Sequence, residues 1–235
     1  MDDIRAEASR FEIIERREKN RRFKCAAMWL SAAVFVSGAV AGTFWLAKNE
    51  GPAVTASISE AVSEKDWSRG SPDARAVLVE YSDFQCPACA AYYPMAEELQ
   101  KEFGDKLRFV YRHFPLRQHA YANLTARATE AAGRQGKFWE MYGIIFEHQK
   151  EWAASDQASE LMAEYAKTLN LDMDKFSKDL ASDEVKERVE NNLQSGLSSR
   201  VEGTPTFFLN GSKIQNPRNY AEFKQLITET LAGGS

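Results

Sequence analysis

Two cysteines, Cys86 and Cys89, stand three positions apart with Pro87 and Ala88 between them. Thiols at this spacing can close a small disulfide when they start a helix. The first sulfur then lies near the free amide groups of the helix N-terminus, and these, with the helix dipole, stabilise a thiolate. Such settings lower a cysteine pKa from about 8.5 to roughly 3.5–7.5. The thiolate is the attacking species in disulfide exchange, and a stabilised thiolate also leaves readily. Pro87 suits the first helical position, where no amide hydrogen is needed. Cys86 is therefore expected to be the exposed nucleophile, and Cys89, one turn inside, the resolving cysteine. The same pair also suits half of a zinc or copper site, or an inert disulfide. Zinc needs two further ligands, and His113 and His119 give C-x2-C-x23-H-x5-H, with both gaps wider than the usual finger windows.

Composition narrows the setting. Three cysteines are too few for a disulfide-stapled scaffold, so the core must come from apolar burial. A chain of 235 residues can hold one well-packed domain plus an appendage. A formal net charge of -4 gives no sign of nucleic-acid binding.

The first 24 residues are polar and carry eight Lys and Arg, six of them between Arg16 and Lys24. The next 23, Cys25 to Ala47, contain no charge. As a helix they span roughly 35 Å, enough to cross a bilayer's apolar core with some tilt. Trp29, Phe44 and Trp45 lie near the ends of this span, where aromatic rings favour the interface. The basic residues precede the span, so the N-terminus is expected in the cytoplasm and the remainder outside it. The rival reading, a cleaved signal peptide, calls for an apolar region of about 7–15 residues ending at small side chains. Here the run is longer and ends on Phe44, Trp45 and Leu46. Gly38 and Gly42 form a G-x-x-x-G, a weak dimerisation mark in a span so rich in Ala and Gly. Cys25, at the cytoplasmic edge, reads as apolar filler, with palmitoylation as the alternative.

The elements that must position the pair follow. Residues 48–70 read as a linker, and a globular domain as residues 71–235. Ala76 to Ser82 is a short, nearly continuous apolar run, as for a strand covered on both faces. Ala90 to Phe103 reads as a helix stopped by Gly104, and Leu107 to Phe114 as a second strand. Residues 117–199 lack strand signals and carry helical spacing, with Ser155 and Ser182 as candidate caps. Thr206 to Leu209 and Ser212 to Gln215 flank Asn210-Gly211, a strong hairpin signal. A last helix fills Tyr220 to Leu231. The order is β-α-β, a helical block, a hairpin and a helix.

The run Val79-Glu80-Tyr81-Ser82-Asp83-Phe84-Gln85-Cys86-Pro87-Ala88-Cys89 resembles the active-site segment of the DsbA-like branch of the thioredoxin superfamily. Gly203-Thr204-Pro205-Thr206-Phe207-Phe208-Leu209-Asn210-Gly211 resembles its cis-proline strand and hairpin. Tyr111-Arg112-His113-Phe114-Pro115-Leu116 and Gln135-Gly136-Lys137-Phe138-Trp139-Glu140 are similar as well. The resemblance covers about residues 70–232 and implies an α/β thioredoxin-like fold with a helical insertion, here preceded by one transmembrane helix. It implies that Thr204-Pro205 faces the cysteines and offers backbone to an extended substrate. It places Glu80 where the family keeps a buried acid; a desolvated carboxylate can accept the resolving thiol's proton. Pro87, Ala88 and His113 are candidates for tuning the thiolate, with a structural role as the alternative for His113. Phe84 and Tyr92 are expected to form an apolar rim for substrate, Phe138 and Trp139 to pack the core, and His119 and His148 to lie on the surface.

The resemblance implies an extracytoplasmic thiol–disulfide oxidoreductase acting on cysteine-containing proteins. Oxidation of substrate dithiols is the first expectation, with reductase or isomerase as alternatives, and a non-catalytic metal- or peptide-binding module as a reading of another class. No bound cofactor is required, because the cysteines carry both electrons. A quinone-linked, DsbB-like membrane protein is the expected reoxidant. The expected location is the bacterial inner membrane, with one span and a periplasmic catalytic domain, where disulfides persist.

Overall fold

The computed structural model describes residues 56–233. The basic segment 1–24, the expected span 25–47 with Cys25, Gly38 and Gly42, and the start of the expected linker lie outside the described residues. Among the described residues, no helix is long and apolar enough to cross a membrane.

Two apolar runs make the centre of the sheet. Strand β2 is Ala76–Ser82 and β3 is Leu107–His113. They run parallel, with Glu80 opposite Tyr111 and Ser82 opposite His113. Helix α1, Pro87–Phe103, connects them and ends at Gly104, whose φ of 51° suits a residue without Cβ. Strand β4, Thr206–Leu209, pairs antiparallel with the other edge of β2, and β5, Ser212–Lys213, closes the hairpin. Asn210 and Gly211 turn with φ of 47° and 82°, the positive pair that an Asn-Gly hairpin favours. Side chains alternate across a strand. Leu78, Phe109 and Phe207 therefore share one face with Cys89 and Leu99 of α1 and with Phe223 of the last helix, α8, Tyr220–Gly233. Val79, Tyr81, Val110 and Phe208 face the other way.

Between β3 and β4 the chain is helical, as its Ala- and Glu-rich spacing suggests. The helices are α2 (Ala122–Gly133), α3 (Phe138–Glu147), α4 (Gln149–Trp152), α5 (Ala158–Thr168), α6 (Met173–Ala181) and α7 (Asp183–Ser198). Ser182 caps α7 by accepting from Val185 N. Ser155 instead accepts from Gln157 N in the turn before α5, which begins three residues later than Ser155. Phe138 is buried in the core and Trp139 packs partly buried against it.

The expected linker is shorter than its sequence suggests. Residues 56–66 bond to the domain through Ile58 N to Gly211 O at 2.8 Å and Lys213 N to Ala56 O at 2.9 Å. Trp67–Arg69 form a further strand, β1, antiparallel to β3, so the sheet order is β1-β3-β2-β4-β5. Ile58 and Val62 cover the Val79–Tyr81 face. These apolar residues are too widely spaced to show a period, and only the sheet they cover reveals their purpose. Trp67 stacks on Phe138 with ring centroids 4.5 Å apart and donates Nε1 to Glu130 at 2.9 Å. Trp67→Ala should therefore lower unfolding stability by about 2–3 kcal/mol in a denaturant titration, through lost packing and a lost donor to a buried carboxylate. A loss under about 0.5 kcal/mol, the range of ordinary surface changes, would make β1 an ornament of the sheet.

Candidate active site

Cys86 sits at the N-cap of α1 with extended backbone (φ -72°, ψ 120°), and Pro87 follows at the first helical position. No side chain caps this helix. Its first amides are thus left for the sulfur. Cys86 Sγ lies 3.4 Å from the carbonyl oxygen of Thr204, and the Thr204–Pro205 bond is cis. Both thiols are free. Cys86 keeps only 7% of its surface and Cys89 none. The nucleophile expected to be open is thus mostly covered, with the Thr204 carbonyl against it.

The two thiols are driven in opposite directions. The Cys89 thiol donates a hydrogen bond to the Cys86 sulfur and is the main cause holding Cys86 down at about 5. Burial opposes this, while Thr204 and the amides of Cys89 and Ala88 add to it. Burial first, then the bond to Cys86 and the charge of Glu80, push Cys89 well above the ordinary thiol range. Glu80 lies on β2 on the face that meets α1, with 1% of its surface exposed. Burial raises its carboxyl to about 7; the Ser82 hydroxyl partly offsets this and the Cys86 charge adds to it. Among the described residues, Glu80 Oε2 and Thr204 Oγ1 are buried without a hydrogen-bond partner.

Other expected site residues lie elsewhere. Phe84 is not part of a substrate rim: it is 1% exposed, its ring packed by Tyr111, Tyr142 and Phe146 at centroid distances of 5.2, 5.9 and 4.8 Å. A large apolar ring beside the helix start gains more from this cluster than from water. Tyr92 also turns inward, with its ring against Phe207 and its hydroxyl donating to Pro217 O at 2.6 Å. His113 is buried at the end of β3 and pairs through Nε2 with Glu130 at 3.0 Å, while Arg188 takes the other oxygen of Glu130 at 2.7 Å. His119 is not a free surface residue: its Nδ1 meets Asp83 Oδ2 at 2.8 Å. The two histidines weighed as metal partners are thus both engaged with carboxylates. His148 lies on the surface beside Glu151.

Four residues around the pair escaped the sequence reading. Asp83 accepts from Gln85 N at 2.8 Å and Leu116 N at 2.9 Å, and its carbonyl receives Cys86 N at 3.0 Å. This Asx turn just before a helix was detectable in the sequence. Gln85 donates Nε2 to Ala153 O and accepts Tyr121 N, both at 2.7 Å. Gln149 donates to Phe84 O and Cys86 O. Asn216 donates to Pro205 O at 2.7 Å. Nothing local marks the last three, because their partners are distant in sequence.

A sheet with a cysteine pair at a helix start and a cis-proline loop over it is the arrangement of a thioredoxin fold. The family model Thioredoxin_4, described as thioredoxin, matches residues 62–229, and the chain belongs to that family. The structure is similar to oxidised BdbD of Bacillus subtilis, with a TM-score of 0.66 and 24% identity over 75% of this chain and 99% of that one. It is also similar to α-DsbA1 of Wolbachia pipientis, with a TM-score of 0.66 and 18% identity over 73% of this chain and 94% of that one. The catalytic domain of Proteus mirabilis ScsC matches with a TM-score of 0.59 and 20% identity over 71% and 89%. In sequence, the Na(+)/H(+) antiporter NhaA 1 of Salinispora arenicola is 38% identical over 171 residues, 72% of this chain. The matched part is 25% of that protein; the chain spans about a quarter of the curated relatives it matches, and the antiporter name belongs to those longer proteins.

The low Cys86 value has a consequence for stability. In the reduced protein, ionisation at about 5 when folded and near 8.5 when unfolded stabilises the fold fully above the unfolded value. That contribution is lost as pH falls through about 5. The disulfide form has no thiol to ionise. Reduced minus oxidised stability should therefore fall by up to about 1.4 kcal/mol per pH unit between these limits, as read by paired denaturant titrations. A difference independent of pH would mean that Cys86 carries no stabilised thiolate.

Proposed function

We propose that this chain oxidises dithiols of substrate proteins. The observation that carries the reading is the placement of Cys86 at the uncapped start of α1, its sulfur 3.4 Å from the Thr204 carbonyl before the cis proline and its thiol held down at about 5. Groups that stabilise the thiolate stabilise the reduced enzyme, so its disulfide tends to accept electrons. The reaction begins with the Cys86–Cys89 disulfide. A substrate thiolate attacks Cys86 Sγ, the Cys86–Cys89 bond breaks, and a mixed disulfide forms with Cys89 as leaving group. The substrate's second thiolate then attacks its own sulfur and expels Cys86 as the stabilised thiolate. One disulfide has moved to the substrate, and its two electrons rest on the cysteine pair.

In this reading each nearby group has a part. Glu80, with a pKa near 7, takes up or supplies the proton of Cys89, which leaves as a thiol and not as an anion. Pro87 starts the helix without using an amide, and Ala88 contributes its own amide to the sulfur. Thr204 and Pro205 lie against Cys86, where an extended substrate would meet backbone. His113 acts on the site indirectly: its ring lies 6.0 Å from that of Phe84, centroid to centroid, two residues before the nucleophile. Reductase action would run the same steps in the other direction, and isomerase action would have the Cys86 thiolate attack a substrate disulfide and be released by another substrate thiolate with no net transfer of electrons.

The uncharged run 25–47, with its preceding basic residues, supports placing the catalytic domain outside the cytoplasm on an inner-membrane anchor. There a quinone-linked, DsbB-like protein would restore the disulfide. The test uses the full chain with a dithiol peptide. Wild-type oxidised protein should convert the peptide to its disulfide, and Cys89→Ser should accumulate mixed disulfides through Cys86. Failure of the wild type to oxidise the dithiol or reduce a disulfide would remove the exchange reading. Trapping through Cys89 in the converse Cys86→Ser variant alone would reverse the two roles.

A further inference from the structure

The turn that presents Cys86 is bonded to the helical insertion as well as to the sheet. Gln149 opens α4 and is 8% exposed. Its Nε2 donates to Phe84 O at 2.7 Å and to Cys86 O at 3.0 Å. Both facing atoms are carbonyl oxygens, which only accept, so the nitrogen of the amide must point at the turn. The residue is braced from behind. Trp152, with 0% exposure, donates Nε1 to Ile145 O at 2.8 Å, tying α4 to α3. Phe146 of α3 packs on Phe84 itself. Gln85 joins from the other side through its bonds to Ala153 and Tyr121.

The two carbonyls belong to the Phe84–Gln85 and Cys86–Pro87 peptide units, which flank the Gln85–Cys86 peptide on either side. The Cys86 carbonyl also receives the first helical bond, from Ala90 N at 3.2 Å. Holding both planes fixes the turn from which α1 starts, and the rigid φ of Pro87 carries that orientation on to the amides of Ala88 and Cys89, which help hold the Cys86 thiol down. Without the donor, the buried Phe84 carbonyl would lack the bond that Gln149 supplies, and the turn would be free to rotate toward another donor.

We propose that Gln149 is a positioning residue: by clamping the carbonyls of Phe84 and Cys86 it aims the first helical amides at the Cys86 sulfur, so that the insertion sets the redox balance of the pair. The inference rests on the exchange reading above and goes beyond it by assigning the insertion a role in the potential. Gln149→Met keeps the volume and removes both donors. Gln149→Glu keeps the shape and turns a carboxylate on the two carbonyl oxygens, and it serves if the first variant does not fold. Either variant should raise the Cys86 thiolate pKa, read by ultraviolet absorbance against pH, by about one unit. It should move the equilibrium with glutathione about tenfold toward the disulfide, a potential lower by about 30 mV. If pKa and equilibrium stay at the wild-type values while thermal stability drops equally in both redox forms, Gln149 only packs, and the inference is overturned. If wild type itself never equilibrates with glutathione through Cys86 and Cys89, the exchange reading fails first and the inference falls with it.

Discussion

Much of this molecule serves one electrostatic constraint: the Cys86 thiol is held well below the ordinary thiol range in a nearly closed site. Burial alone would do the reverse, since desolvation disfavours charge. The reversal depends on groups around Cys86, first the Cys89 thiol of the reduced pair, then Thr204 and the first amides of α1. The amides are fixed by the helix and need no reorganisation when charge arrives. The same arrangement keeps Cys89 protonated and places Glu80 beneath the pair without a hydrogen-bonding partner for one oxygen. One sulfur is held low, its neighbour high, and the carboxyl near neutrality. Separation of this kind assigns distinct parts to groups that chemistry alone would make equivalent.

Three parts of the fold keep the geometry. β2 delivers Glu80 and, after a turn held by Asp83, the cysteine pair. β4 follows the cis Thr204–Pro205 peptide, and Asn216 ties that loop from behind. The insertion holds the turn through Gln85 and Gln149. A helical insertion can thus do more than enlarge the molecule. It supplies the Phe84 carbonyl with a donor and gives the Cys86 carbonyl a second one beside the helical bond from Ala90.

What was legible in the sequence was local. β2 and β4 fall where their apolar runs place them, and Asn210-Gly211 turns as its residue types require. The helix start at Cys86-Pro87 is legible for the same reason, since proline and the cysteine spacing act within one turn. What depended on tertiary packing was not legible. Ile58, Val62 and Trp67 are solitary apolar residues in polar sequence, and only the sheet gives them a face to cover. Phe84, adjacent to the pair in sequence, points into an aromatic cluster because its neighbours Tyr142 and Phe146 arrive from far along the chain. His119 reads as a surface residue in sequence, and only the fold brings Asp83 against its ring. Gln149 carries no signal of its own, because an amide's value lies in what it faces.

The central claim is that thiolate stabilisation at Cys86 makes the pair an acceptor of electrons. The most direct measurement is the reduction potential of Cys86/Cys89 in full-length protein, from the ratio of the two forms in glutathione buffers. The account predicts a value near that of strong oxidants, about -120 mV. A value near -270 mV, typical of thioredoxin, would contradict it, because the hydrogen bonds on the sulfur would then not govern the direction of exchange.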